Sequence, residues 1–194
     1  MDMIIAIINT KGGVAKTTTT IYTGACLAEH GSVRVLDADP QGSATDWAER
    51  CNEDGSQLPF PVEIVNRNTL KRLTASTDYT VIDTPPGDPT LIDLALRVAD
   101  VAVVPTSPSP ADVARVWETL EVATTILPTY VLFTLVDRRA NDLRDARAAL
   151  ISEGVGLFDS DIPYRKAVRN ALGTVPGPRM HNYDAYVREL LEVF

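Results

Sequence analysis

The chain is poor in the side chains that build disulfide frameworks and metal clusters, with 2 cysteines and 2 histidines in 194 residues. Cys26 and Cys51 are too few for a secreted disulfide scaffold, and they do not make a metal-ligand pair. Such links are not needed here, because a domain of this length buries roughly 70% of its unfolded surface. We therefore expect a reduced, cytoplasmic protein that forms a single domain over residues 1–194.

Long apolar runs are also missing from the sequence. The first run, residues 3–8, is far shorter than the ~20 residues that a membrane-spanning helix needs. Asp2 stands where an export signal carries positive charge. These features predict a protein with neither a membrane span nor a signal peptide.

Positive charge is scarce, with 18 Lys+Arg against 26 Asp+Glu and a net charge of -8. Such acidity argues against a nucleic-acid partner, since DNA-binding proteins usually carry a basic surface. The imbalance, however, lies entirely in residues 1–130, which hold 9 basic and 17 acidic side chains. Residues 131–194 hold 9 of each, and the segment 164–170 is basic without a carboxylate. Because phosphate contacts need only a local field, the overall charge does not exclude DNA.

Apolar, β-branched runs alternate with helical patterns along most of the chain. The predicted strands cover residues 3–8, 33–36, 62–65, 79–82, 101–104 and 130–136. The predicted helices cover residues 17–29, 44–51, 91–98, 111–125 and 142–153, and Gly31 and Gly154 stand at expected helix C-caps. Strands that are apolar throughout are typical of sheets covered on both faces. The fold class predicted is therefore α/β: a doubly wound, mostly parallel sheet with helices on both faces.

The first strand leads through a glycine-containing loop into a helix, an arrangement that wraps backbone N–H groups around phosphates. We call residues 10–18 the phosphate loop. Its candidate binding residues are Lys11, Gly12, Gly13, Val14, Ala15, Lys16, Thr17 and Thr18. Lys16 would reach the β- and γ-phosphates, and the Thr17 hydroxyl would coordinate Mg²⁺. Thr10 and Ala15 replace the two glycines of the strict P-loop pattern, so a simple glycine-rich turn is the alternative for this loop alone.

Two further strands end in carboxylates. Asp37 and Asp39 follow the second strand, and Asp83 ends the run at residues 79–82. A carboxylate in the position of Asp83 can hold the water shell of Mg²⁺ beside a nucleotide, which is the Walker B role. A single aspartate at a strand end is more often a turn former or helix cap. The three motifs in this order indicate a nucleotide site.

The sequence resembles the ParA/MinD-type ATPases, which carry a deviant Walker A loop. Residues 11–18 resemble that loop, residues 37–42 the ParA switch I segment, and residues 82–86 its Walker B and switch II segments. The proline-rich run at residues 105–110 is similar to that of small plasmid-partition ParA proteins, the ParF-like group without an N-terminal helix-turn-helix domain. The resemblance implies a P-loop NTPase fold and ATP hydrolysis with Mg²⁺.

The resemblance also implies a role for each matched residue. Lys11 would reach across an ATP-bound homodimer to the partner's phosphates, where a second cation stabilises charge in the transition state. Asp39 would position or activate the attacking water. The remaining assignments are metal binding by Thr17, Asp37 and Asp83, an added phosphate contact from Thr18, and framing of adenine by Arg138. A solvated surface arginine is the alternative for Arg138, and the sequence lacks the N-K-x-D motif that reads guanine.

The partners implied are a second copy of the chain, nonspecific nucleoid DNA and a small centromere-binding adaptor that stimulates hydrolysis. Arg165, Lys166 and Arg169 are the DNA-binding candidates, with Arg144 and Arg147 behind them. An ordinary exposed helix face is the alternative for each. Residues 183–194 have the apolar spacing of a packing helix but are acidic, unlike a membrane-targeting helix, so no membrane partner is expected.

Segregation of plasmid or chromosomal DNA, with nucleoid association, is the function that these features predict. Positioning of a protein cargo, such as carboxysomes or chemoreceptor clusters, is the first alternative, because the cargo is chosen by the adaptor. A metabolic P-loop enzyme is the second. Such an enzyme would not need Lys11, so an unchanged activity after Lys11→Ala would favour it.

Overall fold

The computed structural model describes residues 2–74, 76–137, 139 and 141–193. Over these residues strands and helices alternate almost strictly. The strands are β1 (Met3–Ile7), β2 (Val33–Asp37), β3 (Val62–Ile64), β4 (Tyr79–Asp83), β5 (Val101–Thr106), β6 (Thr129–Val136) and β7 (Gly156–Pro163). The helices are α1 (Lys16–Leu27), α2 (Ser43–Glu53), α3 (Arg67–Leu70), α4 (Pro89–Val98), α5 (Pro110–Ala123), α6 (Asp142–Ser152), α7 (Lys166–Arg169) and α8 (Tyr183–Glu192).

The strands form one sheet in the order β3-β2-β4-β1-β5-β6-β7, and every described pairing is parallel. This architecture confirms the predicted α/β class. All six predicted strands are present, but the prediction was incomplete, because it omitted β7 at the sheet edge.

Alternate residues of each central strand enter two separate hydrophobic cores. Ile5 and Ile7 of β1 pack with α1, α2 and α8 on one face of the sheet. Ala6, with Leu36 of β2, packs with α3 to α6 on the other face. Because both faces are covered, the strands contain few polar residues, and their carboxyl ends form one edge of the molecule. The doubly wound arrangement is therefore confirmed.

Strand β7 owes part of its stability to a distant side chain. Glu189 of α8 accepts hydrogen bonds from the backbone N–H groups of Asp159 (2.6 Å) and Ser160 (2.9 Å). Ser160 Oγ also donates to the same carboxylate. These groups belong to an edge strand, whose outer side has no neighbouring strand to pair with.

Of the two glycines that the sequence predicts at helix C-termini, one occupies that position in the structure. Gly154 follows α6 with a φ of +74°, the left-handed conformation that glycine favours at a helix C-terminus. Gly31 is not such a cap: a Cβ there would lie 2.9 Å from Asp78 Oδ2, so close packing, and not backbone conformation, requires glycine. No helix in the described part of the chain is long and apolar enough to cross a membrane.

Candidate nucleotide-binding site

The three motifs singled out in the sequence meet at the carboxyl edge of the sheet. Strands β1, β4 and β2 are adjacent, and Asp83 is in register with both Ile7 and Asp37. The phosphate loop follows β1 directly. In open parallel sheets this edge is where ligands bind. The predicted site residues of the three motifs are thus brought together.

The phosphate loop enters α1 through a strained turn. Ala15 is the N-cap of α1 with φ 65° and ψ 31°, a left-handed conformation that costs an L-residue roughly 1–2 kcal/mol. Gly13 also has a positive φ, of +77°. The carbonyl of buried Val14 accepts a hydrogen bond from Thr134 Oγ1 (3.1 Å), which fixes the loop to β6. Strain held in place by surrounding contacts is typical of functional loops.

Lys16 is buried and already directed into the loop. Its residue is 7% exposed, and its Nζ donates to the backbone carbonyl of Lys11 at 2.8 Å. Burial lowers the pKa of Lys16, while the charges of Asp83 and Asp39 act in the opposite direction. The ammonium group therefore lies inside the curve of the loop and interacts with the charges of the carboxylates in both other motifs.

Asp83 binds the first turns of α1. Its Oδ2 accepts from Thr17 Oγ1 (2.7 Å) and its Oδ1 from Thr20 Oγ1 (3.2 Å). Burial raises the pKa of Asp83 to about 7, opposed by the Thr17 hydrogen bond and reinforced by the charge of Asp37. A divalent cation placed here would favour the charged carboxylate.

These oxygen groups fit Mg²⁺, which takes few protein ligands and completes its shell with waters and phosphates. Thr17 would be the direct ligand, with Asp83 behind it holding the hydroxyl. The chemistry that Mg²⁺ supplies when bound is neutralisation of charge on the β- and γ-phosphates.

Asp37 and Asp39 differ in their surroundings. Asp37 is buried and caps α2, since its Oδ2 accepts from Thr45 N and Thr45 Oγ1, both at 2.8 Å. Its Oδ1 accepts from the backbone N–H of Asp39 (3.2 Å). Asp39 is partly exposed, and its carboxylate accepts only from Gln41 N (2.9 Å) among the described residues. Asp37 therefore holds the segment that presents Asp39 to the site, and its predicted metal role stays a prediction.

Lys11 lies at the outer end of the loop. Its ammonium group contacts the Asp112 carboxylate at the start of α5. Its backbone N–H donates to Asn9 Oδ1 (2.8 Å), and the Asn9 amide donates to the Pro105 carbonyl (2.9 Å). The loop is thereby attached to both β5 and α5.

A cavity of about 380 Å³ opens beside the loop, between the ends of β6 and β7. The phosphate loop contributes Gly13, Ala15 and Thr18 to its wall. The far wall consists of residues from the two strand ends, the segment after β7 and the start of α8: Thr134, Leu135, Ile162, Pro163, Tyr164, Arg165, Val168, Arg169 and Tyr183. Its mostly apolar lining next to the phosphate loop suits a nucleotide base.

The predicted adenine residue Arg138 lies outside the described residues, so the structure does not place it. Arg165 and Arg169 line the cavity, and Arg169 Nη1 donates to Tyr164 Oη (3.0 Å). Lys166 lies beside them and is exposed. None of the ion pairs between described residues involves these three cations.

Arg147 and Arg144, the two further DNA-binding candidates, have different surroundings in the structure. Arg147 donates to the carbonyls of Phe158 (3.0 Å) and Asp159 (2.8 Å), and its guanidinium lies 5.6 Å from the centre of the Phe133 ring. It therefore holds α6 against β6 and β7. Arg144 remains on the surface next to Asp145.

Sequence reasoning missed several residues that shape the site. Asn9 and Thr20 fix the loop and Asp83, and Tyr164 and Leu135 line the cavity. Leu135 has a φ of +55°, which is uncommon for a bulky residue and marks the end of β6 as strained. Asn9 and Thr20 lie next to the phosphate loop in sequence, so the loop motif could have identified them. Nothing in the sequence pattern singles out Leu135 or Tyr164.

Comparison with known proteins gives one family and several relatives. The family model described as the CobQ/CobB/MinD/ParA nucleotide binding domain matches residues 5–174. Maintenance of carboxysome distribution protein A from Gloeobacter kilaueensis is 37% identical over 177 residues, which cover 87% of this chain and 80% of the relative. Protein ParA from Rhizobium radiobacter is 26% identical over 176 residues, covering 84% and 79%.

Solved structures are similar in fold. A putative plasmid partition protein from Borrelia burgdorferi, bound to AMPPNP, superposes with a TM-score of 0.77 at 17% identity. The match covers 100% of this chain and 98% of that one. At this identity the likeness establishes a shared fold.

Proposed function

The chain belongs to the CobQ/CobB/MinD/ParA nucleotide-binding family, and from this we propose that it is a ParA-type ATPase in which ATP with Mg²⁺ drives pairing of two copies. The observation that carries the proposal is a phosphate loop with two lysines, Lys11 and Lys16, of which Lys16 interacts with the charges of Asp83 and Asp39. One buried lysine is enough to bind phosphates in a P-loop. A second lysine, at the outer end of the loop, can contact the phosphates of a nucleotide that is bound by a second copy of the chain.

Each group of the site then has a chemical task. Lys16 binds the β- and γ-phosphates, Thr17 and Asp83 hold Mg²⁺, and the base occupies the cavity between β6 and β7. Asp39 orients the attacking water and accepts its proton, because its carboxylate is partly exposed and its charge acts on Lys16 of the loop. Lys11 of one copy stabilises the charge that develops on the γ-phosphate of the other.

Nonspecific DNA binding is proposed for the basic segment at residues 164–170. Arg165 and Arg169 line the same cavity as the phosphate loop, while Lys166 is exposed next to them. Nucleotide bound in that cavity would therefore contact the segment that carries the basic residues. Two paired copies present the segment twice, which strengthens a weak patch. This proximity supports DNA binding, and hence nucleoid association, that depends on the nucleotide.

Two cargoes are supported equally. Segregation of plasmid or chromosomal DNA through a centromere-binding adaptor follows from the ParA resemblance and from relatives such as Protein ParA. Positioning of a protein assembly is favoured by the 37% identity to a carboxysome distribution protein. Both use the same ATP cycle and differ in the adaptor.

We expect ATP-dependent binding to duplex DNA of random sequence. With ATP, affinity should be at least about tenfold higher than with ADP or without nucleotide, and should fall steeply with salt as counterions are released. Lys166→Ala should reduce the salt slope by about 1, because it removes one cation that neutralises a DNA phosphate. Fluorescence anisotropy of labelled duplex over a salt series measures both quantities.

Lys71→Ala is the matched control, because Lys71 is also an exposed lysine but lies far from the cavity. It should leave the salt slope unchanged. An absence of binding at low salt with ATP would reject the DNA-binding proposal. If Arg165→Ala weakens ATP binding and leaves the DNA salt slope intact, that arginine serves the nucleotide alone.

A further inference from the structure

The first turn of α5 holds the outer lysine of the phosphate loop. The Lys11 ammonium contacts the Asp112 carboxylate, although the two residues are 101 positions apart in sequence. The Lys11 side chain is 34% exposed, whereas that of Asp112 is 10% exposed. The ion pair thus joins a cation that is one-third exposed to a nearly buried anion.

Asp112 is itself fixed by its neighbours. Its Oδ2 accepts from Ser107 Oγ at 2.5 Å, and its backbone N–H donates to Ser109 Oγ at 3.3 Å. Burial alone would raise the pKa of Asp112, but the hydrogen bonds from Lys11 and Ser107 and the lysine charge hold it below the usual range. The carboxylate is therefore charged at neutral pH and has one orientation.

A second attachment lies next to the first. Thr10 N and Thr10 Oγ1 lie 3.5 and 3.4 Å from Thr119 Oγ1, two turns further along α5. The entry of the phosphate loop is consequently docked along α5. Lys11 points to a helix of its own subunit.

We propose that Asp112 is a positioning residue that restrains Lys11 within a single subunit and so sets the threshold for ATP-driven pairing. When two loaded copies meet, Lys11 leaves Asp112 for the phosphates of the other copy. The inference rests on the proposed function, in which Lys11 acts across the pair. Asp112 contacts neither nucleotide nor water in this scheme, because it acts through Lys11.

Because the ion pair between Lys11 and Asp112 has to break when two copies pair, it should raise the dissociation constant of the dimer by a measurable factor. Asp112→Asn keeps the size of the side chain and its ability to bond Ser107, but it removes the charge that holds Lys11. We expect the apparent dissociation constant of the dimer to fall about fivefold, equivalent to ~1 kcal/mol per dimer, or ~0.5 kcal/mol for each of its two partly exposed ion pairs. Ser107→Ala leaves the charge and loosens its orientation, so it should act in the same direction with a smaller effect.

The experiment is a concentration series by sedimentation velocity with a non-hydrolysable ATP analogue and Mg²⁺. It compares the wild type, Asp112→Asn, Ser107→Ala, Lys11→Ala and the double variant of Lys11 and Asp112. Asp142→Asn is the control, because Asp142 occupies the first turn of the neighbouring helix α6 and is exposed. Tighter pairing in Asp112→Asn and Ser107→Ala, with Asp142→Asn unchanged, supports the inference, since damage to the fold would weaken pairing. The double variant should stay monomeric, as Lys11→Ala does.

The failures can be told apart. If Lys11→Ala abolishes pairing while Asp112→Asn and Ser107→Ala pair as the wild type does, or more weakly, the restraint is rejected and the proposed function stands. If Lys11→Ala pairs as the wild type does, the role of Lys11 across the dimer is rejected together with the restraint. Should Asp112→Asn not fold, Ser107→Ala decides the outcome.

Discussion

Lys16→Ala is expected to lower ATP affinity by at least about 100-fold, which amounts to removal of binding at ordinary concentrations. Lys16 is buried, and its ammonium group lies inside the loop, held by the Lys11 carbonyl. Its charge interacts with those of Asp83, which would hold Mg²⁺, and of Asp39. Charge-assisted bonds to phosphate are among the strongest in proteins. Lys11, the other lysine of the loop, is bound to Asp112.

Isothermal titration calorimetry with ATP and Mg²⁺ measures the effect directly. Lys71→Ala is the control, because it removes an exposed lysine from a chain that has few. Thermal unfolding of Lys16→Ala shows whether the fold is intact. Near-normal affinity in a folded variant would mean that phosphate binds elsewhere.

Asp39→Ala is expected to reduce kcat for ATP hydrolysis by about 10²–10⁴-fold, the range found when a general base is lost. Affinity for ATP should change little, because the Asp39 carboxylate is partly exposed and, among the described residues, accepts a hydrogen bond only from Gln41 N. The variant should accumulate as an ATP-bound dimer that remains on DNA. Normal turnover would rule out the role assigned to Asp39.

Asp39→Asn separates the base from a structural role. The amide oxygen can still accept the hydrogen bond from Gln41 but cannot take a proton from water. We expect Asp39→Asn to be nearly as slow as Asp39→Ala. Asp46→Ala is the control, since Asp46 lies nearby on α2 and pairs on the surface with Arg50. Steady-state phosphate release measures all variants.

The sheet and most of the phosphate site follow from local sequence. Runs such as residues 101–104 are apolar because helices cover both faces of the sheet, so their pattern is legible without a structure. The loop residues and Asp83 are recognisable because each follows a strand, and parallel strands bring those ends together. Gathering of the three motifs at one edge was therefore predictable.

The parts that were missed depend on contacts between distant residues. Strand β7 contains Asp159, Ser160 and Asp161, which interrupt its apolar pattern. Two of its backbone donors are satisfied by Glu189, some 30 positions later. Likewise, Asp112 is tied to Lys11 across 101 positions. Short-range patterns carry no signal for such pairs.

The ion pair between Lys11 and Asp112 also refines the prediction for that lysine. The resemblance to ParA/MinD-type ATPases implies that Lys11 reaches out of the subunit, and the structure shows its side chain bound within it. The proposed exchange, in which Lys11 leaves the Asp112 carboxylate for the phosphates of the other copy, accounts for both positions of its side chain. Lys11 is therefore the residue on which the proposed cycle depends.

The central claim is that ATP drives pairing of two copies through Lys11. Sedimentation velocity of the wild type and of Lys11→Ala, each with a non-hydrolysable ATP analogue or with ADP, tests it most directly. We predict a dimer only for the wild type with the ATP analogue, and monomers in the other three samples. The same sedimentation coefficient for the wild type with both nucleotides, or a dimer of Lys11→Ala, would contradict the claim.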